Sequence, residues 1–312
     1  MTQRAIIALG GNALIKKGQK GTIYEQFANT RSFSSHITKM IKEGWEVVLT
    51  HGNGPQVGSL LLQNNCAREL TPPMPLGICD AESQGLIGYM IQQCLKNELL
   101  KQNQDKDVVS IITQSLVDNN DPALKNPTKP VGPYFSKEEA AQLKSQDGYD
   151  VIEQPRGWRI VVPSPDPKRI IEADTIKHLL DQGIIVIACG GGGCPVYKKP
   201  DWGLDGIEAV IDKDLASERL AEAVDADTLL ILTNEEYVYI NYNTESQQHL
   251  TDISVDELQT YYDQGQFPAG SMGPKVLAAL RFIQHGGKQA IISHVDKAYE
   301  ALYHQTGTHI TK

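Results

Sequence analysis

The sequence predicts a three-layer α/β/α protein with a parallel-rich central sheet, and three observations carry that expectation. Short apolar runs rich in β-branched residues recur along the chain. Between several of them lie segments whose apolar residues fall at helical spacing. Three of the runs end in clusters of glycine. Strand alternating with helix is the pattern of a sheet sandwiched between helical layers, because a parallel crossover lays its helix on a sheet face.

Taken in order, AIIAL (5–9), EVVLT (46–50), DVVSII (107–112), IIVIA (184–188), DTLLIL (227–232), YVYI (237–240) and QAIIS (289–293) read as strands, most of them buried. Phe33, Ile37, Met40 and Ile41 mark one helix, Leu86, Met90, Ile91 and Leu95 a second, and Ile171, Ile176, Leu179 and Leu180 a third. LASERLAEAV is made of good helix formers, and PKVLAALRFIQHGG reads as a helix with Pro274 at its first position. From about Asp118 to Pro167 the rhythm breaks, with eight prolines among polar filler. Irregular segments of this length in a compact fold are often lids or binding loops.

At 312 residues the chain can bury a large core as one α/β domain or two lobes. Its net charge of -9 argues against nucleic acid or an anionic membrane as partner, so any bound anion must be met by local cations. Five scattered cysteines without metal-ligand spacing suggest free thiols in a reducing compartment. The start, MTQRAIIALGG, lacks a secretory apolar region, and no stretch reaches the length of a membrane span, so a cytoplasmic location is expected.

The first strand runs into Gly10-Gly11-Asn12 and the second into His51-Gly52-Asn53-Gly54-Pro55. Both loops would lie at carboxyl ends of strands, where open α/β sheets bind ligands, and glycine there lets backbone N–H groups approach an anion closely. Neither matches a known nucleotide fingerprint. The third glycine of GNGPQVG comes one residue late for a dinucleotide loop, and Gly286-Gly287-Lys288 is followed by Gln289 where a Walker A loop has Ser or Thr. Gly190 to Gly193 form a third cluster; four glycines are costly to order, which points to close approach of a ligand or another backbone.

Asp212-Lys213-Asp214 opens the LASERLAEAV helix. Either aspartate can serve as a cap, but a lysine between two carboxylates is no capping device. A carboxylate holding lysines for a transferring phosphoryl group would need this neighbourhood of unlike charges, and Lys275, also at a predicted helix start, is a candidate second cation. A phosphate at that helix end would be stabilised by the dipole, the free N–H groups and the ammonium together. The plain alternative is a solvated lysine.

These stretches together resemble the carbamate kinases of the amino acid kinase superfamily: ALGGNAL, THGNGPQVG, NPTKPVGPYF, GWRIVVPSPDP, CGGGGCPV, GIEAVIDKDLASERLAE, ILTNEEYVYINY, PAGSMGPK and GTHI. The resemblance implies reversible phosphoryl transfer between ATP and carbamate with Mg²⁺, usually running from ADP and carbamoyl phosphate toward ATP during arginine or related ureido-compound breakdown. It implies two lobes: residues 1–212 on the carbamate side, with a protruding subdomain at about 118–167, and residues 213–312 on the nucleotide side. It also implies a homodimer formed through the amino-terminal lobe.

Motif by motif, Gly10, Gly11 and Asn12 would face the transferring phosphoryl group, and Gly52, Asn53 and Gly54 would hold the carbamate moiety. Lys213 and Lys275 would neutralise phosphoryl oxygens, Asp214 would orient both, and Lys129 would reach in from the insert. The nucleotide would lie near Tyr239, Tyr242, Met272 and Lys275, and no protein side chain is assigned to the metal. Two stretches depart from the pattern: Thr233-Asn234-Glu235-Glu236, where many superfamily members carry an aspartate-bearing turn, and the acidic Asp80 and Glu82. Alternatives are a related kinase for another small acid or a nucleotide, and a catalytically silent ligand-binding homologue.

Overall fold

A computed structural model describes residues 3–16, 18–201 and 203–312, with the side chain of Asn12 outside the described part. Eight strands form one sheet, in the order Asp252–Ser254, Thr308–Thr311, Gln289–His294, Thr228–Thr233, Arg4–Leu9, Glu46–His51, Ile185–Ile187 and Val108–Ser110. The last six in this order are mutually parallel; Thr308–Thr311 runs antiparallel to Gln289–His294 and carries Asp252–Ser254 parallel to itself. The expected α/β/α architecture is therefore present.

The pleat explains how one sheet supports two cores. Side chains alternate across a strand, so Ile6 and Ala8 join a cluster with Leu220, Val276 and Leu280. Their neighbours Ala5, Ile7 and Leu9 join a second cluster with Phe33, Ile37, Met90 and Leu95 on the opposite face. The helices Ala173–Asp181, Lys213–Ala223 and Met272–Gln284 supply the first layer; Ile23–Lys42 and Leu76–Lys101 supply the second. Fully burying a Leu, Ile or Phe side chain contributes roughly 1.5–3 kcal/mol, which is why both faces of the central strands read as near-continuous apolar runs.

Three element readings are corrected. YVYI is not a strand of the main sheet: Val238–Ile240 pairs antiparallel with Gln248–Leu250 in a separate two-stranded ribbon. It follows the end of Thr228–Thr233 too closely for a parallel crossover, which takes a dozen or more residues. The last long helix begins at Met272, two residues before Pro274, so Pro274 is the third helical residue. Leu86, placed on an apolar face, is exposed, and the adjacent Ile87 is buried in its stead.

The proline-rich region is not irregular throughout. Lys129–Phe135, Val151–Gln154 and Gly157–Val162 form a three-stranded antiparallel sheet in the order first, third, second, and helix Lys137–Asp147 joins the first pair in sequence. Its apolar side, with Val131, Ile160 and Val162, packs on Val57 and Leu76. The contact with helix Gly54–Cys66 is backbone on backbone, since a Cβ built on Gly58 would stand 2.1 Å from the Gly132 nitrogen.

Candidate active site

The carboxyl ends of the central strands open into a cleft of about 230 Å³. Register places the two glycine loops side by side there: Leu9 lies opposite Leu232 on one flank and His51 on the other. Gly10 N–H donates to Leu232 O at 3.1 Å and Gly52 N–H to Leu9 O at 3.0 Å. Glycine is required at Gly10, where a Cβ would meet Leu232 O at 2.9 Å. Helix Gly54–Cys66 starts beside them with Pro55 in its first turn, and the short helix Gly11–Leu14 follows the first loop.

The cations arrive from three other elements. Asp212 caps helix Lys213–Ala223, its carboxylate accepting the Asp214 N–H at 2.9 Å. That leaves the Asp214 side chain free for another task. One of its oxygens accepts a short hydrogen bond from Lys213 Nζ, and the other accepts from Lys275 Nζ at 3.1 Å. Lys129, the first residue of the insert sheet, pairs with the remaining oxygen of Asp212. All four carboxylate oxygens of the two aspartates are thus engaged.

Burial and charge pull these groups in opposite directions. Burial opposes the charged form of Asp214, but Lys213 and Lys275 outweigh it and hold the carboxylate well below its usual range. Burial lowers the pKa of Lys213 more than Asp214 raises it. Lys275 is also desolvated, yet Asp214 and Asp212 together lift it above the ordinary lysine value. Asp212 is held low chiefly by Lys129 against the cost of burial. His51, under its loop, is pushed down to about 4 by burial, and its Nδ1 lies 3.3 Å from the Gly52 carbonyl oxygen.

Gly10, Gly11, Gly52, Asn53, Gly54, Lys129, Lys213, Asp214 and Lys275 all line this one cleft. Tyr239, Tyr242 and Met272 do not: the two tyrosine rings lie 5.8 Å apart and Tyr242 reaches Glu235, while Met272 packs partly buried against the core. An apolar pocket of about 370 Å³, lined by Leu215, Tyr262, Phe267, Ala269, Gly273, Pro274 and Leu277, adjoins the cleft through Pro274.

Arg159 joins the cleft without having been expected there. It lines the cleft from strand Gly157–Val162, with Nε and Nη2 donating to Gly132 O at 3.1 and 2.8 Å. Its signal is the GWR triplet, which names the cation but not the direction of its hairpin. The glycine run Gly190–Gly193 makes its close approach mainly to protein groups: Cβ atoms there would strike His51, Asn53, Ile211 and Ser115. Among the described residues, one group of carboxylates and histidine lies within metal-binding reach, Glu218, Glu222 and His285, and it is outside the cleft.

A model of the amino acid kinase family matches residues 3–294. The carbamate kinase of Pyrococcus furiosus is 55% identical over 313 residues, covering 99% of each chain, and that of Trichomonas vaginalis is 46% identical over 310 residues, 98% of this chain and 99% of its own. The chain belongs to the carbamate kinases of the amino acid kinase family. Carbamate kinase from Giardia lamblia bound to AMP-PNP superposes with a TM-score of 0.91 at 43% identity, covering 100% of this chain and 99% of that one. As a carbamate kinase family member the protein is a phosphotransferase.

Proposed function

We propose that the protein catalyses reversible phosphoryl transfer between ATP and carbamate, and that in the cell it runs from ADP and carbamoyl phosphate toward ATP. Breakdown of arginine or related ureido compounds would supply the carbamoyl phosphate. The observation that carries this reading is Asp214 bridging Lys213 and Lys275 at a cleft floored by two glycine loops. Phosphoryl transfer asks for alignment and charge neutralisation, with little covalent work from the protein. Carbamate is already an anionic oxygen nucleophile, so no general base is needed. His51, neutral and turned to a backbone carbonyl, fits a site without one.

In this reading Gly10 and Gly11 face the transferring phosphoryl group, with Asn12 beside them. Gly52, Asn53 and Gly54 hold the carbamoyl end, and Lys213 and Lys275 neutralise the equatorial oxygens. Lys129 closes from the insert, and Arg159 adds a fourth cation. Residues 1–212 form the carbamate side and residues 213–312 the nucleotide side, with the nucleotide near Tyr239, Tyr242, Met272 and Lys275; the apolar pocket beside Pro274 lies in the same half.

Mg²⁺ would accompany the nucleotide. It keeps water and phosphate ligands readily, and with every oxygen of Asp212 and Asp214 engaged by lysine or backbone it would be held through ATP or ADP phosphates, supplying charge neutralisation there. A homodimer through the amino-terminal half is supported by exposed Ile78, Leu86, Tyr89 and Leu100 along helix Leu76–Lys101. No helix among the described residues is long and apolar enough to cross a membrane, in keeping with a cytoplasmic enzyme.

The test is ATP formation by purified protein from ADP, Mg²⁺ and carbamoyl phosphate, with ATP-dependent phosphorylation of other small acids and of nucleoside monophosphates run alongside. Turnover with carbamoyl phosphate alone supports the reading. Preference for another acceptor, or no turnover with any, would replace it by the related-kinase or the silent-homologue reading.

A further inference from the structure

We infer that Asp80 and Ser83 lock the side-chain amide of Asn53 so that its carbonyl oxygen reads the amino group of the carbamoyl substrate. The inference rests on the carbamate reading above and assigns the residues that would tell an amino group from a methyl or hydroxyl group.

Asn53 occupies the cap position of helix Gly54–Cys66, where an asparagine normally accepts a backbone N–H, yet its side chain makes no cap hydrogen bond. Its amide nitrogen turns away and donates to Asp80 Oδ1 at 2.5 Å and to Ser83 Oγ at 2.8 Å. The chemistry fixes which end of the amide points there. The Ser83 hydroxyl gives its proton to the Asp80 backbone carbonyl at 2.7 Å, so toward Asn53 it offers only lone pairs. Turning the amide over would set oxygen against oxygen. Asn53, Asp80 and Ser83 are 2%, 0% and 0% exposed, so water cannot repair such a mismatch.

Gly191 closes the arrangement from the other side. Its φ is +64°, and a Cβ there would stand 2.1 Å from Asn53 Nδ2 and 2.7 Å from Asp80 Oδ1. The glycine run therefore presses bare backbone against the hydrogen-bonded pair. Among the described residues Asp80 Oδ2 makes no hydrogen bond, and burial raises the pKa of this acid well above the ordinary value, so the pair with Asn53 is set in a fully desolvated pocket.

With both amide hydrogens spent, Asn53 Oδ1 remains. It accepts no hydrogen bond among the described residues, and Asn53 lines the cleft. Carbamoyl phosphate carries one strong donor, its NH₂ group, while its oxygens are matched to lysines and backbone N–H groups. An acceptor that cannot rotate into a donor is the complement of that NH₂, and a site built this way penalises an analogue that leaves the acceptor unpaired.

Acetyl phosphate, with CH₃ in place of NH₂ at similar size and charge, is the probe. The ratio of kcat/KM for carbamoyl phosphate over acetyl phosphate in ATP formation is expected to be on the order of 100 in the natural protein. Ser83→Ala and Asp80→Ala should each cut it about tenfold, the size of one hydrogen bond, with the fall on carbamoyl phosphate. Asp80→Asn, which keeps an oxygen toward Asn53, should restore the ratio. Should Asp80→Ala fail to fold, Ser83→Ala removes one hydroxyl and carries the test alone. An unchanged ratio, or equal falls for both donors, would overturn this inference while leaving the kinase reading intact. ATP from neither donor would overturn both.

Discussion

Replacing Asp214 by asparagine removes one charge with almost no change of shape, and the surroundings set the consequence. Asp214 is 2% exposed and holds two ammonium groups, Lys275 at 3.1 Å and Lys213 closer still. At an effective dielectric of about 20, an ammonium and a carboxylate at that separation attract by roughly 5 kcal/mol. Without the charge, two lysines face each other in a desolvated site. Lys213, already lowered by burial, is the one that sheds its proton. Turnover in ATP formation should then fall about 100- to 1,000-fold, the cost of losing one preorganised group in such a site. The sign of the pH dependence separates the causes. A neutral Lys213 regains its proton as pH falls, so the Asp214→Asn variant should recover activity toward lower pH, relative to the natural protein. The assay is initial rate against pH with ADP and carbamoyl phosphate, beside a melting curve. Unchanged turnover would refute the bridge. A loss that is the same at every pH and tracks the melting temperature would make Asp214 a structural residue only.

Lys213→Ala and Lys275→Ala should each reduce turnover by about 100- to 1,000-fold while ADP affinity, read by calorimetry, changes little, because a preorganised cation contributes most in the transition state. Lys129→Ala should weaken carbamoyl phosphate use and leave ADP binding almost unchanged; equal losses would indicate general damage, and no loss would remove the insert from catalysis. Gly58→Ala places a Cβ where the Gly132 nitrogen already stands, so it should displace the insert strand and reproduce the Lys129→Ala kinetics without touching a cation. His51 titrates at about 4 when folded against an ordinary 6.5, so its contribution to stability is complete above about 6.5 and is lost as pH falls toward 4. The loss amounts to about 3 kcal/mol. Urea midpoints at neutral and acidic pH should show it in the natural protein and not in a folded His51→Gln variant.

The chemistry legible in the sequence is the chemistry that sits on one element. Gly10-Gly11 and Gly52 to Gly54 come directly after buried strands, and parallel pairing then brings both loops to one end of the sheet. Lys213 between two aspartates declares itself because helix starts disfavour lysine. Lys275 does so for the same reason, even though its helix begins two residues earlier than Pro274 suggests. The hidden part depends on elements far apart in the chain. Asp80 stands out in the sequence only as an unexpected charge; its link to Asn53 exists because helix Leu76–Lys101 runs beneath the second glycine loop. Arg159 and Gly58 gain meaning only once the insert sheet lies on helix Gly54–Cys66. The short strands Asp252–Ser254, at the sheet edge, and Thr308–Thr311, next to it, are too brief for periodicity to reveal.

In the function proposed above, one cleft passes a phosphoryl group between carbamate and ADP with Lys213, Lys275 and Asp214 as the charge machinery. Phosphorus NMR on purified protein with ADP, Mg²⁺ and carbamoyl phosphate tracks that group directly. The carbamoyl phosphate signal should decline as ATP signals grow in equal amount, and Lys275→Ala should slow both together. Carbamoyl phosphate decaying only to inorganic phosphate, at the rate seen without protein, would contradict the claim.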